Sequence, residues 1–464
     1  MEFLWNLIAF IIALGVLVSF HEYGHFWVAR KLGVKVLTFS VGFGKPLLEK
    51  TGKDGVRYVL AAIPLGGFVK MLDEREAPVK PEEVSMAFNR QSVWTRIAIV
   101  LAGPVANFLL AIALYWIVFI SGQNVIIPVV GEVAETSIAG KAGLSYRDQI
   151  VAVDGDPVTT LQDMTLKLVN RIGEKGHIQF TVRPFKLSQF DVKEFDVRQT
   201  DFSSSTNLTT RELKLNIDQW QVDSTKPEVM HSLGFYHFLE FSEFGGVKSG
   251  GAADKAGIRV DDHLISIDGQ KADLWHEMAK ILAISAGKEV KIEIRRNGEL
   301  IFIPVVIGSQ VVEGKTIGLL GVERNFKPFL IKQEYGIVES LSKAVNKTYS
   351  MIELTTRVFV KLFSGEISVK SLSGPVSIAK GAGESANIGL ISFLLFVAGI
   401  SVNLGFINLL PVPMLDGGHF LYFVIELVKG KPLTERTQEF GLQIGMMMVF
   451  ALMAFAIFND FSRI

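Results

Sequence analysis

A short motif near the N-terminus places three side chains where they could bind and use a metal ion. His21 and His25 are four residues apart, so on a helix they lie on one face, one turn apart. This spacing lets two imidazoles hold one Zn²⁺, while the carboxylate of Glu22 acts on a water held by the metal. A histidine in an apolar helix is more often an ordinary core residue, and a His-Glu-x-x-His match can arise by chance.

The setting of the motif favours a metal site over ordinary packing. Residues 3–20 are apolar except for Asn6 and Ser19, and the run is long enough to cross a membrane. Ionisable side chains at the end of such a segment are costly in free energy, so they are usually functional. The hypothesis is a zinc protease whose active site lies inside the membrane.

The composition limits the possible chemistry. The chain has 464 residues, 49% of them hydrophobic, and its 47 basic residues balance its 47 acidic residues. A nucleic-acid-binding protein normally has a basic surplus, so nucleic acid is not an expected partner. The chain has no cysteine, which excludes disulfides and thiolate metal sites, so any zinc must be bound by histidine and carboxylate.

Four segments are apolar and long enough to span a membrane. They are residues 3–28, 97–120, 388–410 and 440–458. Lysine and arginine are concentrated in the loops that follow the first and third spans, which predicts that both loops are cytoplasmic. Both termini and the large polar region between the second and third spans should then face the periplasm of a Gram-negative cell. The lipid bilayer of the inner membrane is therefore an expected partner.

The first loop contains an apolar stretch that is too short for a helical span. This stretch, residues 58–71, is interrupted by Pro64, Gly66 and Gly67. It is either an ordinary hairpin in a cytoplasmic domain or a re-entrant element that enters the membrane beside the metal. Non-helical backbone is tolerated in a membrane only where protein or a water-filled cavity covers it, and a hydrolase needs such a cavity.

The outer region contains an internal repeat. Residues 141–155 match residues 255–269 at an offset of 114, with six identities in fifteen positions. Each copy has a short helix ending at Ala-Gly, a β-strand and an Asp-Gly turn, which resembles PDZ domains of bacterial proteases. Residues 184–219 are interpreted as an insertion in the first copy. An amphipathic helix is predicted over residues 331–363, either on the membrane surface or in a protein core.

A second polar stretch, residues 403–419, closes the third span. Pro411 and Pro413 cannot donate backbone hydrogen bonds, so the helix ends there and its free carbonyls need polar partners. This predicts that the stretch lines the cavity. Asp416 is an oxygen donor that would complete a His₂-carboxylate site with an open fourth position. His419 is a rival ligand, and a plain Asp-Gly turn is the ordinary alternative.

Four features together resemble the site-2 protease family of intramembrane zinc metalloproteases. They are His21-Glu-Tyr-Gly-His25, Gly103-Pro-Val-Ala-Asn107, the PDZ-like repeats, and Asn408-Leu-Leu-Pro-Val-Pro-Met-Leu-Asp-Gly417. The resemblance covers nearly the whole chain, and neither catalytic motif departs from the family pattern. It implies a polytopic α-helical membrane protein with four transmembrane helices, a re-entrant β-element and two extramembrane PDZ (α+β) domains.

The spans, the repeat and the resemblance together predict the organisation of the chain. In chain order, we expect a first transmembrane helix (1–30), a cytoplasmic loop with the re-entrant β-element (31–95), a second transmembrane helix (96–122), a first PDZ domain (123–222), a second PDZ domain (223–325), an amphipathic periplasmic region (326–387), a third transmembrane helix with the metal-ligand loop (388–416), a cytoplasmic loop (417–439), and a fourth transmembrane helix with the C-terminus (440–464).

The resemblance also implies roles for individual residues. His21, His25 and Asp416 would bind Zn²⁺, which favours Asp416 over its rival, and Glu22 would be the catalytic base. Asn408 would contact the substrate backbone or the tetrahedral intermediate. The loop around the two glycines would hold the substrate as an added strand. The further expected substrate contacts are Gly66, Gly67, Asn403, Pro411 and Pro413.

The implied reaction is hydrolysis of a peptide bond within the transmembrane segment of a single-span membrane protein. The implied substrates are an anti-sigma factor that another protease has already cut, in an envelope stress response, and remnants of signal peptides. The PDZ pair would either bind a newly cut C-terminus or exclude bulky outer domains. Two other classes stay open: a membrane scaffold would contain no zinc, and a metal transporter would show flux without proteolysis. Neither class explains a glutamate placed directly after the first histidine.

Overall fold

A computed structural model of the chain contains two compact units. It describes residues 2–185, 209–223, 228–236, 243–272, 275–312, 315–325, 330–365, 368 and 374–462. The helical unit comprises residues 1–123 and 334–464, and the strand-rich unit comprises residues 124–333.

The helices, in chain order, are α1 (Glu2–Lys31), α2 (Val93–Ser121), α3 (Ile138–Lys141), α4 (Leu161–Asn170), α5 (Val229–Leu233), α6 (Ala252–Lys255), α7 (Trp275–Ala283), α8 (Ile337–Ser364), α9 (Pro375–Ile388), α10 (Leu390–Asn408), α11 (Asp416–Lys429) and α12 (Glu435–Ser462). The strands are β1 (Val36–Thr51), β2 (Arg57–Met71), β3 (Gln123–Ile126), β4 (Asp148–Val153), β5 (Asp156–Pro157), β6 (His177–Pro184), β7 (Arg211–Asn216), β8 (Phe244–Val247), β9 (His263–Ile267), β10 (Gln270–Lys271), β11 (Glu289–Arg296), β12 (Glu299–Val306), β13 (Gly308–Val312), β14 (Lys315–Leu319), β15 (Val322–Arg324) and β16 (Leu330–Gln333).

Four helices of the helical unit are long and apolar enough to cross a membrane. Among the described residues, these segments are Phe3–Lys31, Val93–Ser121, Leu390–Asn408 and Glu435–Asp460. The shortest has 19 residues, which corresponds to about 28 Å of helix, close to the roughly 30 Å of a bilayer's hydrocarbon core. Four helices able to span a membrane are thus present where the sequence predicted four spans.

Helix α2 is the central element of the helical unit and packs against α1, α8, α10 and α11. It begins after Ser92, whose hydroxyl accepts a hydrogen bond from the Thr95 backbone N–H at 3.1 Å. Its contact with α1 depends on small residues, as is usual between membrane helices. A Cβ on Gly24 would lie only 2.8 Å from the Cβ of Ala106, so α1 and α2 approach along their backbones.

Strands β1 and β2 form one curled antiparallel sheet in which the first half of β1 pairs on both sides. Phe39 is opposite Val69 in one pairing and opposite Tyr58 in the other. Residues 46–51, the second half of β1, pair with residues 57–61. The apolar stretch predicted to be a hairpin or a re-entrant element is therefore strand β2. Large apolar side chains are exposed on this sheet, namely Phe43, Leu47, Leu48, Leu60, Ile63 and Phe68.

The strand-rich unit contains two lobes with the same topology. Their four-stranded sheets have the orders β5-β4-β6-β7 and β10-β9-β11-β12. Each lobe has an Asp-Gly turn with positive φ at both residues, 51° and 81° at Asp154-Gly155 and 49° and 75° at Asp268-Gly269. These values are typical of a type I′ hairpin turn. The internal repeat seen in the sequence is thus also a repeat of structure.

The first lobe extends beyond the boundary predicted from the sequence. Its core contains Val229, Leu233 and Phe235, which come from α5 and the residues after it. The lobe therefore continues past residue 222, where the sequence pattern placed the start of the second domain. The predicted insertion is also shorter than expected, because β7 pairs with β6 as β12 pairs with β11. Residues 186–208, the middle of that insertion, lie outside the described residues.

Helix α8 covers most of the stretch in which an amphipathic helix was predicted, and its buried face consists of small and polar residues. The residues buried at four-residue intervals are small, namely Ser340, Ala344 and Thr348. Val338 and Val345, two apolar residues seven positions apart on this helix, are exposed. Small side chains let α8 pack closely on α2, and this leaves part of its apolar stripe uncovered.

Candidate metal centre

The first part of the centre is one face of α1. His21, Glu22 and His25 lie within a continuous 30-residue helix, and each is more than nine-tenths buried. The four-residue spacing places the two imidazoles together, with 3.3 Å between their Nε2 atoms. The backbone geometry predicted from the sequence is therefore present.

The second part of the centre is Asp416, the first residue of α11. Its Oδ2 atom lies 3.2 Å from Nε2 of His21 and 3.5 Å from Nε2 of His25. A carboxylate must be ionised to bind a metal, and both imidazoles present a nitrogen to this oxygen.

The three donor atoms fit a zinc ion. Zinc bonds of about 2.0–2.1 Å in tetrahedral geometry place neighbouring ligands roughly 3.3 Å apart. The separations among Nε2 of His21, Nε2 of His25 and Oδ2 of Asp416 are 3.2, 3.3 and 3.5 Å. The Oδ2 atom is buried and accepts no hydrogen bond from the residues that the structure describes, so it has an unused capacity to bind a cation. Two imidazoles and one carboxylate are a donor set of catalytic zinc sites that keep a fourth position open.

The rival ligand, His419, is not part of this group. Within the part of the chain that the structure describes, the group able to hold a metal consists of His21, His25 and Asp416. His419 lies one turn along α11 and is exposed. The geometry thus favours Asp416, the choice that the family resemblance suggested.

Helix α2 contacts Nδ1 of both imidazoles, the ring nitrogen that is not offered to the metal. Nδ1 of His25 lies 2.8 Å from the carbonyl oxygen of Ile99. Because a carbonyl only accepts hydrogen bonds, Nδ1 carries the proton and Nε2 keeps its lone pair for a metal. Nδ1 of His21 lies 3.1 Å from the Asn107 side-chain nitrogen. Metal-binding histidines usually donate this outer N–H to an acceptor, as His25 does to the Ile99 carbonyl, and the contact fixes the ring orientation.

The curled sheet reaches the centre at Gly67. A Cβ on this residue would lie 2.9 Å from Cγ of Glu22, so the sheet passes directly beside the carboxylate. Gly66 has a φ of 152° and faces the ring of Phe43, where a Cβ would lie 2.9 Å from Cζ. Both glycines predicted near the site are thus in this sheet, and Gly67 is the one that contacts the centre.

The substrate contacts predicted at the third span do not all lie beside the metal centre. The Asn408 side-chain nitrogen lies 3.5 Å from Nε2 of His21, so this residue borders the centre. Asn403 accepts a hydrogen bond from the Thr355 hydroxyl at 2.9 Å, and this contact turns its amide towards α8. Pro411 is exposed. Pro413 is next to α12, where a Cβ on Gly445 would lie 3.4 Å from it.

Gly103 is a residue of the centre whose role the sequence alone did not reveal. A Cβ there would lie 2.6 Å from Cε1 of His25 and 2.8 Å from Cε1 of His21. Only hydrogen fits between α2 and the two imidazoles. The signal in the sequence was a Gly-Pro-x-x-Asn segment inside an otherwise apolar span, because neither Gly103 nor Asn107 favours such a helix by itself.

Comparison with known proteins gives full-length matches. The sequence matches the model of peptidase family M50 over residues 9–452. "Regulator of sigma-E protease RseP" of Escherichia coli (strain K12) is 42% identical over 470 residues, covering 100% of both chains. A relative from Vibrio cholerae, whose name describes it as a zinc metalloprotease, is 41% identical, and "Regulator of sigma E protease" of Haemophilus influenzae is 38% identical, each with 100% coverage of both chains.

Proposed function

Because the chain belongs to peptidase family M50, the site-2 protease family of zinc metalloproteases, we propose that it cuts a peptide bond within transmembrane segments of single-span proteins. His21, His25 and Asp416 would hold the zinc. The observation that carries the proposal is the convergence of three donor atoms beside the buried carboxylate of Glu22.

The residues of the centre have distinct roles in this proposal. Zinc, when bound, would supply Lewis-acid chemistry that polarises a carbonyl and makes water acidic enough to act as a nucleophile at neutral pH. Glu22 would accept a proton from the attacking water and deliver it to the leaving amine, the work of a general base and acid. Asn408, at the border of the centre, would donate a hydrogen bond to the substrate carbonyl as negative charge develops there.

The curled sheet would present the substrate in an extended form. A helix encloses its own backbone, so a scissile bond must leave the helix before it can reach the centre. In the described pairing, residues 67–71 are bonded to β1 on one side. A substrate segment added along the other side would form main-chain hydrogen bonds and pass next to Glu22. The exposed apolar side chains of this sheet support a place for it within the membrane.

The proposed topology places the metal centre near the cytoplasmic ends of the spans, in the inner membrane. It is supported by the basic residues of the loops around residues 30–96 and 429–436. Both termini and the two lobes would be periplasmic. We assign the lobes to the PDZ class because their repeated sheets, short helices and Asp-Gly turns agree with that pattern.

The proposed substrates are an anti-sigma factor already cut outside the membrane, and remnants of signal peptides. The names of the relatives, as regulators of sigma-E, support the first class and a role in the envelope stress response. The two lobes would act as a size filter or as a receptor for a newly cut C-terminus. Deleting both lobes separates these alternatives: a filter predicts that uncut substrates are now cleaved, and a receptor predicts that activity is lost.

The test of the proposed function uses the purified full-length protein, loaded with zinc, and a truncated single-span substrate. We expect cleavage within the span and one zinc per chain by elemental analysis. Glu22→Gln should keep the zinc and lower the cleavage rate by about 10²–10⁴-fold. Cleavage at the wild-type rate by this variant would remove Glu22 from the mechanism. Zinc flux across vesicles without cleavage would instead support a transporter.

A further inference from the structure

We propose that Asn107 is a positioning residue that keeps the His21 imidazole in the tautomer required for metal binding. In this role its side-chain oxygen accepts a hydrogen bond from the Nδ1–H of His21. The inference rests on the proposed zinc site, and it gives a role to a residue that the proposed reaction does not use. Asn107 lies on the second transmembrane helix, and its side chain contacts the proposed ligand His21 rather than the substrate.

The first observation is that Asn107 is buried with half of its amide unused. The residue has no exposed surface. Its side-chain nitrogen lies 3.1 Å from Nδ1 of His21, whereas its Oδ1 atom is buried and has no hydrogen-bond partner within the described part of the chain. A buried amide oxygen without a donor costs roughly 1–3 kcal/mol. This orientation therefore leaves unused the one atom of the Asn107 amide that can accept a hydrogen bond.

The second observation is the pattern of donors and acceptors around His21. If the amide nitrogen donates to Nδ1, the proton of a neutral imidazole must be on Nε2, which is the atom that faces Asp416. That tautomer cannot bind a metal through Nε2. Rotating the amide by 180° exchanges its oxygen and nitrogen with little other movement, because the two atoms are nearly equal in size. The oxygen then accepts from Nδ1–H, and Nε2 presents its lone pair to the site.

The neighbouring ligand supports the rotated arrangement. His25 already has an acceptor at its Nδ1, the carbonyl oxygen of Ile99 at 2.8 Å. Ile99 and Asn107 are two turns apart on α2, so the same helix face serves both imidazoles. The backbone provides the acceptor for His25, and a side chain must provide it for His21. An outer partner of this kind typically changes metal affinity by about 10–100-fold.

A purely structural role would use a different atom of Asn107. The Ser401 hydroxyl donates to the backbone carbonyl of Asn107 at 2.7 Å and so ties α10 to α2. Substitution of the Asn107 side chain leaves this backbone contact in place. Ser401→Ala removes the contact without touching His21, which makes it the matched control.

The experiment measures the zinc Kd of the full-length protein in detergent, by competition with a chromophoric chelator. Asn107→Leu keeps the approximate volume and removes the acceptor, so we expect a Kd about 10–100-fold higher. Asn107→Asp keeps the acceptor, and its Kd should stay within about threefold of wild type or fall below it, as should that of Ser401→Ala. Thermal unfolding of the zinc-free variants shows whether each is folded.

Three results would overturn the inference: an unchanged Kd for Asn107→Leu, an equal loss for Asn107→Asp, or an equal loss for Ser401→Ala. If Asn107→Leu does not fold, ¹⁵N NMR of zinc-loaded, histidine-labelled wild-type protein decides. We expect a protonated Nδ1 at His21, and a deprotonated Nδ1 would refute the proposal. A wild-type protein that binds no zinc would instead refute the proposed metal site itself.

Discussion

Gly103→Ala is the substitution for which the structure predicts the largest effect from the smallest chemical change. The added Cβ would lie 2.6 Å from Cε1 of His25 and 2.8 Å from Cε1 of His21, and closer still to Nε2 of His25. Two carbon atoms in contact are normally about 3.5–4.0 Å apart. The imidazoles, or α2 itself, must therefore move by about 1 Å.

This displacement falls on the atoms that we propose to bind zinc. A misplacement of about 1 Å in a catalytic group can lower a rate by about 100-fold. We therefore expect kcat/KM for a single-span substrate to fall at least 100-fold, together with a weaker zinc affinity. Forcing an additional methyl group into a packed interface also costs about 1–3 kcal/mol of unfolding free energy.

Gly15→Ala is the matched control, because it makes the same chemical change in α1. Among the described ranges, no atom outside the neighbouring backbone lies within 4 Å of a Cβ on Gly15. Alanine is favoured over glycine in a helix, so this variant should be as stable as wild type or slightly more stable. Wild-type kcat/KM and zinc affinity in Gly103→Ala would refute the close packing of α2 on the imidazoles. A loss of activity in both variants would show that the effect is not specific to the centre.

The remaining predictions concern Asp416 and the helix that carries it. Asp416→Asn should raise the zinc Kd and abolish cleavage, whereas His419→Ala should leave the zinc Kd unchanged; the reverse pattern would make His419 the third ligand. Arg96 and Glu426 form a bidentate ion pair, with 11% and 12% of their side chains exposed, that fastens α11 to α2. Removing one partner of a buried pair costs about 3–5 kcal/mol, so Glu426→Gln should lower the thermal unfolding temperature, and replacing both residues with methionine should recover part of the loss. An unchanged unfolding temperature in Glu426→Gln would contradict this role.

The helices and the shared helix face of the two histidines could be predicted because their signals are local. The spacing of His21 and His25 fixes their shared helix face, and the apolar runs fix the four spans. Asp416 was harder to place with the histidines, because residues 26–415 lie between it and His25, and sequence spacing does not predict contacts across that distance. The family resemblance favoured it, and the distances to both imidazoles agree.

The features that the sequence did not predict depend on contacts between distant segments. The double pairing of β1 arises from curling of the sheet, and an alternating pattern alone cannot specify it. The first lobe recruits α5 because Leu233 and Phe235 complete its core, whereas the repeat spacing suggested an earlier boundary. The buried face of α8 is made of small residues such as Ala344, which a search for apolar periodicity does not detect.

One face of the second transmembrane helix contacts both imidazoles of the centre. Ile99, Gly103 and Asn107 recur every four residues and therefore lie above one another. The Ile99 carbonyl accepts a hydrogen bond from His25, and Gly103 leaves space for both imidazoles. The Asn107 amide contacts His21. Arg96, one turn before Ile99, is paired with Glu426 of α11, the helix that begins with the third proposed ligand. A transmembrane helix with no polar contacts to make would be uniformly apolar, because lipid offers no partner to polar groups. The interruptions in α2 are thus explained if this helix holds the three proposed ligands, which come from two distant parts of the chain, in a single geometry.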